Sequence, residues 1–310
     1  MLAILKTTLT GLERLEEFEP GSWVDLVSPT EEELQRVSEE LSIPLELLKG
    51  PLDEEEKSRI DVEDGITHVI VDIPILVRTE EDQGYDTIPL GMLVHPDYFI
   101  TTCLRPNPIL GEFERGAVRS FATFKKTRFL FQIQQQVSAF YHRYLGRIDR
   151  ETDKLERELR ASMKNAEIFD LLVLQKALVY FTTSLRSNEA VLQKLLRTKA
   201  VKMYEEDEEL LEDVIVENKQ ASEMARIYTD ILTGMMDAFT SVISNNLNRV
   251  MKLLTSITII LSIPTIVAAF YGMNVGLPFQ EYRHAFTLTI VIAFVISAAF
   301  ALVFWRRNYL

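Results

Sequence analysis

The sequence predicts an α+β membrane protein with an N-terminal α/β domain that contains a mixed sheet, a region of long helices and two C-terminal transmembrane helices. Short segments rich in β-branched and aromatic residues fill residues 1–106, and long charge-rich segments with helical periodicity follow them. Hydrophobic residues make up 47% of the 310, near the upper limit for soluble proteins, and they are concentrated after Met251. These three observations define the fold class.

Charge is distributed as unevenly as hydropathy. Residues 1–250 contain 29 basic and 45 acidic side chains, a net charge of −16, whereas the last sixty residues contain four basic and one acidic. We therefore expect a strongly acidic soluble part joined to a membrane tail, and no nucleic-acid partner.

The α/β domain is predicted over residues 1–106. Between its second and third strands, Ser28–Glu33 predicts a helix start with an N-cap residue, a proline in the first turn and acids favoured by the helix dipole. The predicted strands are Ala3–Thr7, Trp23–Val27, Thr67–Ile73, Ile88–Val94 and Tyr98–Leu104.

Long helices are predicted over the remainder of the soluble part. Residues 107–205 include the helical segments Phe129–Met163 and Glu167–Thr198. A third segment begins at Glu206 and contains one glycine, Gly234, before Gly272. Residues 206–270 are therefore predicted to form a single stalk helix that continues into the first transmembrane span.

Two segments have the length and composition of membrane spans. Leu253–Phe270 and Ala285–Trp305 contain no charged side chain, and about 20 apolar residues cross the ~30 Å of hydrocarbon in a bilayer. The first contains several Ser and Thr residues and Pro264, so a buried soluble helix is its alternative interpretation. The second segment needs a partner helix in the membrane, so its presence favours a membrane span for the first segment as well.

The flanks of the spans predict their orientation. Arg249 and Lys252 precede the first span, and Arg306 and Arg307 begin a basic tail over residues 306–310. The positive-inside rule then places both termini in the cytoplasm and the loop 271–284 outside, in a multi-pass protein of the cell membrane. We expect no signal peptide, and the single Cys103 fits a reducing compartment.

One face of the stalk helix is polar. Alternating steps of four and three residues, a 3.5-residue spacing, trace a stripe that is polar at all but two positions. Such a stripe cannot face acyl chains at little cost, so it packs against helices or lines a wet cavity. The stripe consists of Asp237, Ser241, Ser244, Asn248, Met251, Thr255, Thr258, Ser262, Thr265 and Ala269.

Two interpretations of this stripe stand side by side. Small Ser and Thr side chains also permit close helix packing. The second span, however, offers only Thr287, Thr289 and Ser297 as polar partners. Copies of the first span around a symmetry axis would cover the stripe, which favours a cyclic oligomer with a central pore and leaves the number of copies open.

A family resemblance rests on the end of the first span. The motif Tyr271-Gly272-Met273-Asn274 follows a span that contains Pro264 and is preceded by Asn248–Thr255. In this position the motif resembles that of the CorA magnesium transport family, and the resemblance extends over the whole chain. It implies a homopentamer that transports Mg²⁺, with Co²⁺ or Ni²⁺ tolerated, driven by the membrane potential.

The resemblance also implies roles for individual residues. Asn274 would meet the incoming ion at the outer mouth, and Asp237 would lie on the inner pore. Thr265, Asn248, and Met251 or Leu254 would line constrictions between them, whereas Ser262 departs from the bulky apolar residue of many members. The implied pore lining is Asp237, Ser244, Asn248, Met251, Leu254, Thr255, Thr258, Ser262 and Thr265.

Acidic residues of the soluble part have two interpretations. The run Glu205–Glu209 is typical of a solvated face. The family resemblance implies a regulatory site at which cytosolic Mg²⁺ bridges acids of neighbouring subunits and favours the closed pore. Asp213 and Glu217 are the candidates on the stalk helix, with a partner among Glu80, Glu81, Asp82 and Asp86.

Other functions remain as alternatives. A CorA-like Zn²⁺ transporter, proton-coupled in one version, is favoured by the apolar loop Val275–Phe279, and a non-conducting membrane-tethered sensor is the second alternative. An enzyme is not expected: the sequence has no Walker A loop, no His-Glu-x-x-His motif and no Cys-x-x-Cys pair, and we expect no organic cofactor. The four histidines are scattered, and only His284 flanks the outer loop.

Overall fold

The structure is a computed structural model that describes residues 1–63, 65–78, 83–162, 165–276, 278, 283–307 and 309. The chain divides into two compact units, Met1–Thr233 and Gly234–Leu310. The boundary falls within one continuous helix.

The first unit contains a mixed sheet, as predicted. Its seven strands in the described part of the chain have the order β2-β1-β3-β7-β6-β5-β4. Only β3 and β7 pair in parallel, with Trp23 opposite Phe99 and Val27 opposite Cys103. The strands are β1 Leu2–Thr7, β2 Leu12–Leu15, β3 Trp23–Val27, β4 Arg59–Glu63, β5 Ile66–Arg78, β6 Gln83–Val94 and β7 Phe99–Cys103.

Two strands were missing from the prediction. Both β2 (LERL) and β4 (RIDVE) are edge strands that are mostly exposed. Charged residues suit a sheet edge because they oppose pairing with another chain, but they hide the apolar alternation that predicts a strand. In addition, β5 and β6 are longer than predicted and pair as far as Arg78 opposite Gln83.

Seven α-helices are described. The first begins after the N-cap Thr30, whose hydroxyl accepts the Glu33 N–H at 3.2 Å, while the Glu33 carboxylate accepts the Thr30 N–H at 2.9 Å. The prediction of a proline in its first turn is wrong, because Pro29 precedes this N-cap. The helices are α1 Glu31–Leu41, α2 Leu45–Lys49, α3 Pro108–Glu114, α4 Lys126–Ser162, α5 Asn165–Thr198, α6 Glu205–Tyr271 and α7 Ala285–Arg306.

The two faces of the sheet are covered differently. On one face, Val24 and Leu26 pack with Leu34 and Val37 of α1. On the other face α4 packs over the parallel pair, with the Phe129 ring 5.1 Å from the Trp23 ring and 4.4 Å from the Phe99 ring. The sheet is therefore buried on both sides where β3 and β7 meet, as parallel pairing requires.

A buried polar chain lies within this second face. Trp23 Nε1 donates to Thr101 Oγ1 at 2.8 Å, and the Thr101 hydroxyl donates to Asp25 Oδ1 at 2.6 Å. Burial raises the pKa of Asp25 to about 7. Each hydrogen bond here joins side chains of neighbouring parallel strands and fixes their register.

Helix α5 supplies hydrogen bonds to an unpaired stretch of the edge of β5. The pairing of β4 with β5 ends at Arg59 opposite Ile70, so on this edge β5 lacks a strand partner at Asp72, which pairs with β6 on the other edge. The Asn188 side chain takes that place: its Oδ1 accepts the Asp72 N–H at 2.9 Å, and its Nδ2 donates to the Asp72 carbonyl at 2.8 Å. Tyr141 of α4 donates to the same carbonyl at 3.0 Å.

Three described helices are long and apolar enough to span a membrane. They are a part of α5, Ile168–Thr198, together with α6 and α7. In α5, the side chains of Leu178 and Phe181 are fully buried, and the helix packs on β5 and β6. Its apolar residues therefore belong to the core of the first unit, and the two C-terminal spans predicted from the sequence remain.

Gly91 of β6 supplies a prediction about this core. A Cβ at Gly91 would lie 2.1 Å from Pro51 Cγ, a contact that the short 3-10 helix Gly50–Leu52 can relieve only by moving. We expect Gly91→Ala to destabilise the protein by about 2 kcal/mol, a typical cost of overpacking, and to lower the midpoint of thermal unfolding in detergent. Gly84→Ala is the matched control on the same strand, because its Cβ meets no described atom within 4 Å. Equal midpoints for the two variants would contradict the proposed clash.

Candidate pore-lining surface

The predicted polar stripe lies on a continuous helix. Helix α6 runs from Glu205 to Tyr271, close to the predicted bounds. From Asp237 onward the stripe is exposed, except for Ser262, which is half-buried. The large apolar side chains of the predicted lining are also exposed, Met251 by 52% and Leu254 by 58%.

The second span lies on the other side of α6. A groove between α6 and α7 is lined on the α6 side by residues that do not belong to the stripe. At 3.6 residues per turn these residues lie on average about 130° around the helix from the stripe. They are Ile260, Leu261, Pro264, Val267, Ala268, Tyr271 and Gly272. Within the described residues of one chain, α7 therefore leaves the polar face uncovered.

Three hydroxyl groups of the stripe donate hydrogen bonds to backbone carbonyls of the same helix. Thr258 donates to the Leu254 carbonyl at 2.8 Å, and Ser262 donates to the Thr258 carbonyl at 2.7 Å. Ser241 donates to the Asp237 carbonyl at 3.0 Å in the same way. Each of these three hydroxyls donates its hydrogen within the helix. Its oxygen therefore keeps lone pairs that can accept hydrogen bonds from outside the helix. Such a row of acceptors suits the water shell of a cation, whose hydrogens point away from the ion.

The Gly-Met-Asn motif ends the helix. The Gly272 N–H donates to the Ala268 carbonyl at 2.9 Å, and the Met273 N–H donates to the Phe270 carbonyl at 3.3 Å. Asn274 follows in an exposed turn. Leu277, Phe279, Glu281 and Tyr282 of the outer loop lie outside the described residues.

Gly272 leaves little room for a side chain. It follows the last residue of α6 and has no positive φ, so the left-handed conformation that favours glycine is not used here. A Cβ at Gly272 would lie 3.3 Å from the Ala268 carbonyl oxygen, which is tighter than an ordinary contact. A Cβ at this position would therefore need a shift of a few tenths of an ångström in the last turn before Asn274.

The predicted regulatory acids do not form a metal site within one chain. Asp213 is exposed, and Glu217 is half-buried beside His142, whose Nε2 lies 3.1 Å from the Glu217 carbonyl oxygen. Burial raises the pKa of Glu217, and the nearby His142 opposes this shift. Among the described residues, no three His, Cys, Asp or Glu side chains are close enough to hold a metal ion.

The predicted partners of these acids are only partly described. Glu80, Glu81 and Asp82 lie outside the described residues. Asp86 is half-buried, and its Oδ1 accepts the Thr87 N–H at 2.8 Å. Within the described residues, a metal ion at Asp213 would therefore need ligands from another chain.

One contact of the second unit was not predicted from the sequence. The Lys252 Nζ lies 5.4 Å from the centre of the Tyr309 ring. The two residues are 57 positions apart, and no periodicity connects them. The available signal was a lone aromatic residue in a basic tail, opposite a lysine at the start of the first span.

Fold and surface together define a class of protein. The chain has a mixed-sheet unit, long helices and two apolar C-terminal helices, the first of which has a polar face that the second leaves uncovered. This is the organisation of a membrane transport protein rather than of an enzyme.

Residues 19–307 match the CorA-like Mg²⁺ transporter protein family, and the chain belongs to that family. The cobalt/magnesium transport protein CorA of Methanocaldococcus jannaschii is 29% identical over 298 residues, which cover 93% of this chain and 91% of that protein. The protein of the same name from Thermotoga maritima is 26% identical over 202 residues, 64% of this chain and 56% of that protein.

The fold agrees with a solved structure over its whole length. The complete structure of the CorA magnesium transporter from Methanocaldococcus jannaschii matches with a TM-score of 0.87 at 27% identity, covering 100% of this chain and 99% of that chain. The family resemblance, the α+β membrane fold with two C-terminal spans and the expectation of a non-enzyme are thereby confirmed.

The exposed stripe predicts a pattern of chemical accessibility. Cys103 is fully buried, and burial raises the pKa of its thiol to about 11. The native cysteine should therefore not react with a thiol reagent under these conditions. We expect Thr258→Cys in proteoliposomes to react with a charged, membrane-impermeant thiol reagent at least about ten times faster than Val267→Cys, because a thiolate forms only in water.

Val267 serves as the matched control because it lies in the same span but lines the groove toward α7. Reaction rates are measured by mass spectrometry of the modified chain. Two equally slow rates would mean that the stripe is sealed by protein, as in the close-packing interpretation.

Proposed function

We propose that the chain is one subunit of a divalent-cation channel that admits Mg²⁺ through the central pore of a homopentamer. The observation that carries this proposal is the polar face of α6, which the second span of the same chain does not cover. In lipid this face needs partners, and further copies of the same face around an axis provide them. The names of the relatives, cobalt/magnesium transport proteins, support a divalent cation as the transported ion.

Asn274 is proposed to select the ion by contacting its water shell. Mg²⁺ holds its waters tightly in octahedral geometry at about 2.0–2.1 Å and loses them reluctantly. A ring of neutral amide oxygens accepts hydrogen bonds from these waters without stripping them. A ring of carboxylates would bind the ion more tightly and slow its release. The acceptor oxygens of Thr258 and Ser262 would continue the same contact along the pore.

The driving force is proposed to be the membrane potential. With both termini in the cytoplasm of the cell, the motif Tyr271–Asn274 faces outward, and the inside-negative potential draws cations inward. A doubly charged ion gains about 4.6 kcal/mol per 100 mV in crossing the membrane. Mg²⁺ influx through the pore therefore needs no nucleotide.

The asparagine ring leads to a direct test. In proteoliposomes under an inside-negative potential, we expect the wild-type protein to take up Mg²⁺ and Asn274→Ala to reduce uptake at least about tenfold, because the alanine methyl group cannot accept hydrogen bonds from the water shell. Asn274→Gln keeps the amide and should retain more activity. The control is Val275→Ala, an exposed neighbour without a polar side chain. Unchanged uptake by Asn274→Ala would remove the role assigned to this ring.

The same vesicles separate the alternative functions. The exposed Val275 belongs to an outer loop with few acids, which favoured Zn²⁺ as an alternative ion. Zn²⁺ uptake that depends on a proton gradient, without Mg²⁺ uptake, would support that alternative. No flux of either ion would support a non-conducting membrane-tethered sensor.

Gating by cytosolic divalent ions is the second part of the proposal. Asp213 is exposed and Glu217 lies one turn further along α6, so an ion could join them to acids of a neighbouring subunit. Such an ion closes the pore only if it binds the closed state more tightly than the open state.

The gating proposal predicts a loss of feedback. With Mg²⁺ loaded on the cytoplasmic side, we expect Asp213→Asn to conduct several times more than the wild type, because one bridging carboxylate is lost. Glu212→Gln removes the same charge from the adjacent exposed position and should leave the feedback intact. Equal effects of the two substitutions would mean that the loss of any one negative charge here raises conduction, and this would contradict a specific site at Asp213.

A further inference from the structure

Tyr309 contacts both the end of the second span and the start of the first. The Tyr309 N–H donates to the Phe304 carbonyl at 2.9 Å, and the Tyr309 ring lies 5.9 Å from the Phe304 ring. The Lys252 ammonium lies 5.4 Å from the centre of the Tyr309 ring, within the range of a cation–π interaction. All three residues belong to the unit Gly234–Leu310.

Lys252 occupies an intermediate position on α6. It follows Met251 of the polar stripe, and at about 100° per residue its Cα lies between the stripe and the side that faces α7. A lysine side chain is long and flexible, so its ammonium can reach toward either side. Tyr309 follows the end of α7, and its ring holds the ammonium on the α7 side.

The position of this charge matters for a cation pathway. An ammonium that swung toward the stripe would stand beside Met251 and Asn248 in every copy of the subunit. Each such charge repels a divalent cation, and the repulsions from several copies add. This step rests on the proposed function.

We propose that Tyr309 is a positioning residue that holds the Lys252 ammonium against the second span and so keeps the cytoplasmic mouth of the pore free of that charge. The aromatic face is the active feature, and the Tyr309 hydroxyl is not needed.

A double-mutant cycle in the full-length protein tests the proposal. In proteoliposomes at low ionic strength, we expect Tyr309→Leu to reduce Mg²⁺ influx about three- to tenfold, and Tyr309→Phe, which keeps the ring, to conduct like the wild type. Lys252→Met should make Tyr309→Leu silent, because no ammonium is left to misplace. The effect of Tyr309→Leu should shrink at high salt, where charges are screened.

Two flux results would overturn the proposal. One is an unchanged influx in Tyr309→Leu. The other is an equal loss in the Lys252→Met background, which would mean that Tyr309 supports the fold of the tail and not the position of the charge.

A readout without conduction separates this inference from the proposed function. Acylation of Lys252 by a water-soluble amine reagent, quantified by mass spectrometry, should rise at least threefold in Tyr309→Leu and stay unchanged in Tyr309→Phe. No Mg²⁺ influx in the wild type would overturn the proposed function and, with it, the effect on conduction. Normal wild-type influx with equal acylation in all variants would overturn this inference alone.

Discussion

A polar helix face that must be shielded from lipid is the constraint on which the membrane part of this protein depends. The bilayer core offers no water to hydroxyl and amide groups, so such a face needs protein partners or a water-filled cavity. In this chain the second span packs toward Pro264 and Val267, away from Thr258 and Ser262. One chain therefore cannot meet the constraint alone, and this is the physical reason to infer an assembly.

The soluble unit meets a comparable constraint within a single chain. A parallel strand pair must be covered on both faces, and here α1 covers one face while α4 covers the other. Three side chains that this burial traps pair with each other, in the chain from Trp23 through Thr101 to Asp25. Where a strand edge lacks a neighbour, the Asn188 amide replaces one. Burial is thus complete without a second subunit in this part of the core.

Much of this organisation could be predicted from the sequence, for identifiable physical reasons. The spans were found because they exclude charge, and α6 was found because no proline and only one glycine, Gly234, lie between Glu205 and the first span. The edge strands β2 and β4 were missed because their exposed, charged residues hide the strand pattern. The contact of Lys252 with Tyr309 was missed for a different reason. It depends on how the tail folds after α7, and no local pattern encodes that.

The polar stripe also bears on how such a pore could close. A ring of large apolar side chains can stop conduction by excluding water, whereas a ring of hydroxyl groups cannot. The family resemblance implies a bulky apolar residue at position 262, whereas this chain has the half-buried Ser262, whose hydroxyl donates to the Thr258 carbonyl. Met251 and Leu254 are the large apolar residues of the proposed lining, and both are exposed on α6. If the pore closes by dewetting, we infer that the barrier lies at these two residues, near Lys252. The charge that Tyr309 holds aside would then stand next to the narrowest part of the pathway, where repulsion of a divalent cation has the greatest effect on its passage.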